Sequence, residues 1–366
     1  MKTKQRVDFI VVLVFISIIL CVTSCKSHKN LQPKSTLDTL LQKVAESELK
    51  ETMQMNKADW GCVVLMDVDS GEIKTMVNLG RDTASDKFYT KSPNYATTKL
   101  IEPGQLFTLA SIMVCLQDKL INLNDLTFTG TITFLDAKMM DSDTNMKSCT
   151  IQHAFEYSSN VAIAKMVTQN YRANPEKFVD HLKEFMLDKP LGLNDVAEPN
   201  PVMITPTSRA WCPISLPWLS IGYGIKLTPM QILSFYNAVA NNGKLLKPIL
   251  TKCDTTIIPH VLKDQICSID ALAKTKTLLN GTVNKGAMHE IGWPGMSVAG
   301  KGAIVKNYSV KENGNSSLML CAGYFPADKP KYSYIVAINH YGDIYPNWSP
   351  LIIRNIIGYM LCGEKK

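Results

Sequence analysis

The sequence predicts an α+β fold in which one antiparallel sheet carries helices on both sides. Two β-rich segments lie near the start of the chain, between Trp60 and Gly80, and further β-rich segments follow in its final third. Apolar residues recur at helical spacing through the middle of the chain and again from Leu351 to Leu361. Strands at both ends with helices between them favour one sheet that combines N- and C-terminal strands.

The first elements are a helix and a hairpin. Apolar residues at helical spacing from Leu37 to Met55 predict an amphipathic helix. The stretch WGCVVLMDVDSGEIKTMVNLG then reads as two strands around a turn at Asp69-Ser70-Gly71. Residues 81 to 100 have no clear periodicity, and we expect a loop there.

The middle of the chain is predicted to be helical. Thr150 is a suitable N-cap for one helix, and Thr228 with Pro229 begins another that ends at Asn242-Gly243. Residues 195 to 217 contain five prolines and should be irregular. The predicted helices run from Pro103 to about Leu120, from Thr150 to Gln169, from Glu176 to Leu187, and from Thr228 through Val239.

The final third is predicted to contain three strands and a closing helix. The strands are expected around 297–305, 318–324 and 334–340, and the helix from Leu351 to Leu361. No internal repeat or low-complexity tract interrupts this order. We therefore expect a single domain over residues 58–366, preceded by a spacer and amphipathic helix over residues 26–57.

Composition excludes several classes of function. The 366 residues are 46% hydrophobic and 19% charged, with a net charge of +7, which is ordinary for a globular chain. No Lys/Arg block of nucleic-acid type occurs, so we expect no nucleic-acid partner, although a mild attraction to an anionic polymer or membrane surface remains open. His and Cys residues lack metal-ligand spacing, and we expect no metal and no cofactor.

The N-terminus has the anatomy of a signal peptide. Lys2, Lys4 and Arg6 precede an apolar run from Phe9 to Leu20, which is shorter than the ~20 residues of a transmembrane helix. Val22-Thr23-Ser24-Cys25 resembles a bacterial lipobox, with Val22 in place of the usual Leu and Cys25 as the lipidated residue. An uncleaved anchor helix is the alternative. Either version tethers the body of the chain to a membrane, facing the bacterial periplasm or cell envelope.

The other eight cysteines, from Cys62 to Cys362, show no paired spacing. We interpret them as small buried apolar residues, and a disulfide among them stays open because sequence does not reveal spatial proximity.

Five collinear stretches carry a more specific signal. They are NYATTKLIEPGQLFTLASIMVCLQD, IQHAFEYSSNVAIAKM, SIGYGIKLTPMQILSFYNAVANNGKLLKP, SVAGK and GYFPADKPKYSYIVAIN. Together they resemble the transpeptidase domain of penicillin-binding proteins over roughly residues 58 to 362. That family has the signatures S-x-x-K, an S-D-N-type motif and K-T-G. The resemblance implies the same α+β fold, with peptidoglycan stem peptides or β-lactams as ligands.

The family's chemistry depends on a serine nucleophile and a lysine three residues later, which share one helical face. The resemblance implies that this lysine helps to remove the serine proton. It further implies that the serine of S-x-N and the K-T-G lysine move protons and hold the substrate carboxylate, while the asparagine positions the substrate amide. A covalent acyl-enzyme forms and is resolved by an amine or by water.

When the family's motifs are aligned residue by residue, the resemblance is incomplete at the nucleophile and its partner lysine. The nucleophile aligns with Gln105 and the partner lysine with Thr108, whereas Ser158 and Asn160 match S-x-N fully. Lys301 matches the K-T-G lysine, and Gly302 and Ala303 stand at the next two positions. An alignment with one deletion keeps Gly302 as the motif glycine, and the sequence does not decide between the two.

Glutamine cannot form an acyl ester, and no displaced S-x-x-K appears at Thr108 or Ser111. The sequence therefore predicts no confident catalytic residue, and a substrate-binding set of Ser158, Asn160, Lys301 and Gly302. We expect a membrane-tethered pseudoenzyme that scaffolds or regulates peptidoglycan synthesis, or binds stem peptides, beside other cell-wall synthesis proteins. The alternatives are an active D,D-transpeptidase or carboxypeptidase with a displaced nucleophile using Lys301, and a structural, partner-binding lipoprotein.

Overall fold

The computed structural model describes residues 34–82, 85, 87–90, 94–194, 196–252, 258–307, 315–342 and 346–363. The predicted signal peptide, Cys25 and the first part of the spacer lie outside these residues. Lys34–Ser35 pairs with Thr251–Lys252 in a small unit of its own. The rest of the described chain forms one larger unit. No helix within the described ranges has the length and apolar character needed to cross a membrane.

Ten α-helices and two 3₁₀ helices occur in the described part of the chain. The α-helices are α1 (Thr39–Met55), α2 (Tyr95–Thr98), α3 (Thr108–Gln117), α4 (Ile151–Glu156), α5 (Asn160–Tyr171), α6 (Pro175–Glu184), α7 (Ser215–Leu219), α8 (Pro229–Ala240), α9 (Ile269–Asn284) and α10 (Ser349–Cys362). The 3₁₀ helices are Gly104–Phe107 and His289–Ile291.

One sheet of six strands organises the larger unit. Its strands are β1 (Trp60–Asp67), β2 (Ile73–Asp82), β3 (Lys87–Thr90), β4 (Ala299–Asn307), β5 (Ser316–Phe325) and β6 (Tyr332–Tyr341). They lie in the order β4-β5-β6-β1-β2-β3, and every neighbouring pair is antiparallel. The contact between β6 and β1 joins the two ends of the chain, which confirms the predicted sheet.

Within its described residues, the larger unit also has four two-stranded ladders outside the sheet. They are Leu126–Phe128 with Ser148–Thr150, Thr131–Phe134 with Ala137–Met140, Val202–Met203 with Ile225–Lys226, and Leu245–Leu246 with Val261–Lys263.

Helices cover both faces of the sheet, as predicted. On one face Val64, Leu320 and Ala337 belong to a large apolar cluster that includes α3, α5 and α8. On the other face Leu65 and Met319 pack with α1 and α10 in a second cluster. Because successive side chains of a strand point to opposite faces of the sheet, consecutive residues of β1 and β5 belong to different clusters. The site described below lies on the face of the larger cluster, where β4 meets the helices.

The clearest local predictions are confirmed. Thr228 accepts a hydrogen bond from the Gln231 amide at 3.2 Å, and the Gln231 side chain accepts one from the Thr228 amide at 2.7 Å. This capping box, with Pro229 in the first turn, fixes the start of α8. The side chain of Asp38 likewise caps α1, which ends at the predicted Met55.

Three predictions of secondary structure were wrong. The helix predicted from Thr150 to Gln169 is interrupted between α4 and α5, because Ser158 has a left-handed backbone with φ of +62°. The segments predicted to be loop or irregular contain β3, α2, α7 and the strand Val202–Met203. Helix α9 was not predicted, because its threonines and Gly281 weaken the helical pattern.

The cysteines in the described ranges are unpaired. Cys62, Cys115, Cys267 and Cys321 are buried, as expected for small apolar residues, and burial raises the pKa of each thiol. Cys149 is partly buried, and Cys212 and Cys362 are exposed.

Candidate active site

A close contact between two glycines forms the entrance to the site. Gly104 has φ of +52° and Gly222 has φ of +87°, and a Cβ on Gly222 would overlap the backbone of Gly104. On its other side Gly104 faces a methyl group of Val305 in β4, which leaves no room for a side chain there. Glu102 accepts a hydrogen bond from the Gly224 amide at 3.3 Å. The backbone conformation and the packing of Gly104 together therefore fix the position of the next residue, Gln105.

Gln105 faces the S-x-N segment. Its Nε2 atom donates to the carbonyl oxygen of Ser158 at 3.2 Å and to Oδ1 of Asn160 at 3.3 Å. The structure thus brings together the residue aligned with the nucleophile and both residues of the retained motif. All three are partly buried, so the groove between them is open to solvent in part.

Thr108 lies one turn further along, at the start of α3. It is only 3% exposed, and its hydroxyl donates to the carbonyl oxygen of Gln105 at 2.7 Å. That bond places the side chain against its own helix, and a threonine there cannot act as a lysine-type base. Ser111 is fully buried and donates to the carbonyl oxygen of Ser220 at 2.7 Å, so it does not reach the groove.

Ser158 lies in the break between α4 and α5, and its neighbours fix that break. Ser159 caps α5 by accepting from the Ala162 amide at 3.0 Å, and its hydroxyl donates to Asp141 at 2.6 Å. Asp141 also accepts from the backbone amides of Val161 and Gly130 at 3.0 and 2.8 Å. No sequence pattern indicated this aspartate, because it lies in a loop with no motif around it.

Lys301 reaches this break from β4. Its side chain is fully buried, and Nζ donates to the hydroxyl of Ser158 at 2.7 Å and to the carbonyl oxygen of Phe155 at 2.5 Å. The same Nζ lies 4.3 Å from the centre of the Phe155 ring. Lys301 was expected to attract a ligand carboxylate, yet in this conformation it presents no surface to solvent.

Burial sets the charge of Lys301. Loss of solvent lowers its pKa to about 7, and the nearby negative charge of Glu156 opposes that shift. Glu156 is 4% exposed and accepts a hydrogen bond from Nε2 of Gln152 at 2.8 Å. Near neutral pH the lysine is therefore divided between ammonium and amine. No sequence pattern indicated Glu156 beyond its position two residues before Ser158.

The strand that carries Lys301 is regular. Lys301, Gly302 and Ala303 pair with Ala322, Cys321 and Leu320 with no shift in register. Ala303 therefore shares the sheet face of Lys301, while Gly302 lies on the opposite face, near Met288 and Asn347. Gly302, which was predicted to bind substrate, can reach the groove only through its main chain.

The sequence profile described as penicillin binding protein transpeptidase domain matches residues 61–348. The chain belongs to this family. Its relatives include the peptidoglycan D,D-transpeptidase FtsI of Escherichia coli K12, which is 25% identical over 83% of this chain and 51% of the relative. Stage V sporulation protein D of Bacillus subtilis is 23% identical over 85% of this chain and 50% of the relative. The chain thus spans about half the length of the curated relatives it matches.

Solved structures confirm the penicillin-binding transpeptidase fold. Penicillin-binding protein 3 of Mycobacterium tuberculosis matches with a TM-score of 0.78 and 21% identity, over 89% of this chain and 78% of that one. The transpeptidase domain of Burkholderia pseudomallei penicillin-binding protein 3 matches with a TM-score of 0.75 and 19% identity, over 91% and 96%. The mycobacterial protein has also been solved with aztreonam and with ampicillin.

In this penicillin-binding transpeptidase fold, the groups around Gln105 form a hydrogen-bonded set. The set contains the side-chain amides of Gln105 and Asn160, the hydroxyl of Ser158 and the buried amine of Lys301. The hydroxyl of Thr108 is bonded to the carbonyl oxygen of Gln105. No group of His, Cys, Asp or Glu side chains in the described ranges could hold a metal ion. Such an arrangement can hydrogen-bond a peptide without forming a covalent bond to it.

Proposed function

We propose that this chain is a non-catalytic penicillin-binding transpeptidase domain that serves peptidoglycan synthesis by binding or scaffolding. The observation that carries the proposal is the position of Gln105. Its amide faces Ser158 and Asn160, where the family's nucleophile is expected, and a carboxamide has no hydroxyl to acylate. Loss of a nucleophile that works together with its base typically costs on the order of 10⁶ in rate.

We propose that Cys25 is lipidated and tethers the domain in the bacterial envelope, beside the proteins that build the wall. The lipobox-like sequence supports the lipid anchor, and similarity to peptidoglycan D,D-transpeptidases supports a place beside the wall. Globomycin should cause the unprocessed chain to accumulate, and unchanged processing would contradict the assignment.

One observation favours a second candidate, an acylating enzyme with Ser158 as displaced nucleophile. The Ser158 hydroxyl lies 2.7 Å from Lys301, whose pKa of about 7 leaves part of it as neutral amine. In that reaction Ser158 Oγ would bond to the β-lactam carbonyl carbon and Lys301 would take the hydroxyl proton. The ring C–N bond would then break, and the released nitrogen would take up that proton from Lys301. The burial of Lys301 and its second bond to Phe155 count against it.

Labelling with a fluorescent penicillin, followed by intact-mass measurement, separates these candidates. We expect no adduct after prolonged incubation. A stoichiometric adduct would overturn the non-catalytic proposal, and peptide mapping with Ser158→Ala as control would locate the nucleophile.

Titration with a stem peptide that ends in D-Ala-D-Ala then separates a binder from a scaffold. Saturable binding supports the binding form of the proposal. Its absence favours the scaffolding form, or a structural lipoprotein whose groove has no ligand.

A further inference from the structure

A cleft opens at the end of the sheet where β1 turns into β2 and β5 turns into β6. It has a volume of about 460 Å³, which suits a small-molecule ligand. Its walls come from Asp69 in the first turn, residues 328–331 in the second turn, and the end of α8 with Lys276 of α9. None of its described lining residues belongs to the groove around Gln105.

Hydrogen bonds join the walls of the cleft to one another. The Lys331 amide donates to the carbonyl oxygen of Phe325 at 3.1 Å, and the Lys331 carbonyl oxygen accepts from the Val68 amide at 2.9 Å. Nδ2 of Asn241, just beyond α8, donates to the carbonyl oxygen of Val68 at 2.9 Å. Both turns and the end of the helix are therefore bonded together, so the cleft is formed without a ligand.

Amines outnumber carboxylates on these walls. The charged residues that line the cleft are Lys276, Lys329, Lys331, Asp69 and Asp328. Lys329 and Lys331 are exposed, and their amines make no hydrogen bond to the part of the chain that the structure describes. The cleft therefore offers positive charge that the described residues leave available to an anion.

The Asp328 carboxylate already has a partner. Its Oδ1 atom accepts from the Ser297 hydroxyl at 2.7 Å, and this bond holds the pKa of Asp328 below its usual value. Asp328 also lies near the charge of Lys329. An anion in the cleft therefore meets a carboxylate whose charge is partly compensated by its own neighbours.

Of the three lysines, Lys276 is the one that is partly buried. Its Nζ atom donates to the carbonyl oxygen of Ala240, the last residue of α8, at 3.1 Å and to Oδ1 of Asn242 at 2.7 Å. An ammonium group carries three donors, so these two bonds leave one for a ligand. Loss of solvent lowers the pKa of Lys276, and a nearby anion would favour its charged form again.

The chain enters the larger unit beside this cleft. Thr36 is the first residue of that unit, and its hydroxyl lies 2.7 and 3.0 Å from the carbonyl oxygens of Ile73 and Ile249. The Ile249 amide donates to the carbonyl oxygen of Gly71, in the turn between β1 and β2. Thr36 follows Cys25 by eleven positions. Because an extended chain covers at most about 3.6 Å per residue, a bilayer that holds Cys25 lies within roughly 40 Å of Thr36.

We propose that this cleft binds the phosphate headgroup of an anionic phospholipid, which holds this end of the domain against the membrane. A phosphate diester is a small anion with several acceptor oxygens, and lysine amines donate strong, charge-assisted hydrogen bonds to it. Residues 26–35 add three lysines and no aspartate or glutamate, so the tether is attracted to the same surface. This assignment rests on the membrane anchor of the proposed function, and it names the surface that faces the bilayer.

The test measures contact with the membrane at the cleft itself. The full chain is reconstituted into vesicles of phosphatidylcholine alone or of an equal mixture with phosphatidylglycerol, and hydrogen–deuterium exchange is followed by mass spectrometry. We expect exchange in segments 68–72 and 326–331 to be about threefold or more slower in the mixed vesicles. Raising the salt to about 1 M should remove the difference, because the Debye length then falls to about 3 Å.

Two double variants identify the groups that make the contact. Lys329→Gln with Lys331→Gln removes two exposed charges of the cleft, so most of the slowing in mixed vesicles should be lost. Lys50→Gln with Lys57→Gln is the matched control, because these exposed lysines lie toward the start of β1, at the opposite end of the sheet. The control should keep the slowing. Thermal unfolding of each double variant checks that the fold is intact.

Four results would overturn the assignment. Equal slowing in both kinds of vesicle would mean that tethering alone covers the cleft, and no slowing in either would mean that the cleft does not meet the membrane. Slowing that survives in the variant of Lys329 and Lys331 would mean that other groups make the contact. Slowing by free glycerol phosphate, but not by mixed vesicles, would mean that the cleft takes a soluble phosphate ester.

Failure of the proposed function is read from other measurements. If Cys25 is not lipidated, globomycin has no effect, while the full chain keeps its apolar segment 9–20 and can still be reconstituted. A penicillin adduct would overturn the non-catalytic proposal without involving the cleft.

Discussion

Nζ of Lys301 lies 2.7 Å from the hydroxyl oxygen of Ser158, and no solvent reaches the lysine. The two residues come from β4 and from the break between α4 and α5, segments that are far apart in the chain. The bond joins the sheet to the helices beside Gln105, so it stabilises the site whether or not the site performs a reaction.

The entrance formed by Gly104 and Gly222 predicts that two substitutions can introduce acylation by a β-lactam. In the double variant Gln105→Ser, Thr108→Lys, a hydroxyl and an amine would lie three residues apart on one helical face, opposite Ser158 and Lys301. We expect this variant to form a stoichiometric adduct with a fluorescent penicillin, measured by intact mass. Each single variant is the control and should form none. A folded double variant without an adduct would show that β4, with Gly302 and Ala303, fails to align the ligand.

The pKa of Lys301 predicts a pH dependence of stability. The pKa is about 7 in the folded chain and 10.5 for an unperturbed lysine, so between these values the unfolded chain binds more protons at this residue. The destabilisation is therefore fully present below pH 7 and is relieved as pH rises. From pH 7 to 8.5 the free energy of unfolding should increase by roughly 1–2 kcal/mol from this group.

Urea unfolding of the wild type and of Lys301→Met at the two pH values measures this contribution. Other titrating groups are common to both proteins and cancel in the comparison. The increase in the wild type should exceed that in the variant by this amount, and an equal increase in both proteins would refute the assignment.

The left-handed backbone of Ser158 predicts an unusual order of stability among its variants. Ser158→Ala removes one acceptor of Lys301, which should cost about 1–3 kcal/mol. Ser158→Gly removes the same acceptor but relieves the backbone strain at φ of +62°, so it should be more stable than the alanine variant by about 1 kcal/mol. Chemical denaturation gives both values. An alanine variant as stable as the glycine variant would mean that the strain is negligible.

The contact between Gly222 and Gly104 predicts a large effect of one methyl group. Gly222→Ala adds both the strain of a left-handed alanine and an overlap with the Gly104 backbone. Gly295→Ala is the control, because Gly295 has a similar φ of +81° with no atom within 4 Å of the added methyl. The control should lose about 1–2 kcal/mol and Gly222→Ala about 1–3 kcal/mol more, measured by urea unfolding. Equal losses would mean that the overlap is relaxed without cost.

The sequence predicted those features whose causes are local. Two β-rich runs around the turn at Asp69-Ser70-Gly71 indicated β1 and β2, and Thr228 with Pro229 indicated the start of α8. The motif resemblance also indicated that Gln105, Ser158, Asn160 and Lys301 would meet, and the structure brings them within hydrogen-bonding distance.

The features that the sequence did not predict depend on distant contacts. The helical pattern continues through Ser158, and nothing local marks the left-handed residue that interrupts it. Asp141 holds that break from a separate loop. Lys301 is completely buried and its amine bonds to Phe155 of α4, a contact between distant segments that no sequence pattern records.

The close contact between Gly104 and Gly222 constrains the backbone of the entrance, whereas the side chains at residues 105 and 108 are under a different constraint. A side chain at residue 222 would overlap the backbone of Gly104, and one at residue 104 would overlap Val305 of β4, so each position is held by a different neighbour. Residues 105 and 108 lie beside that contact but take no part in it, and their side chains can differ without disturbing it. In a fold built this way the shape of an entrance can persist over long divergence while the reaction behind it is exchanged or lost.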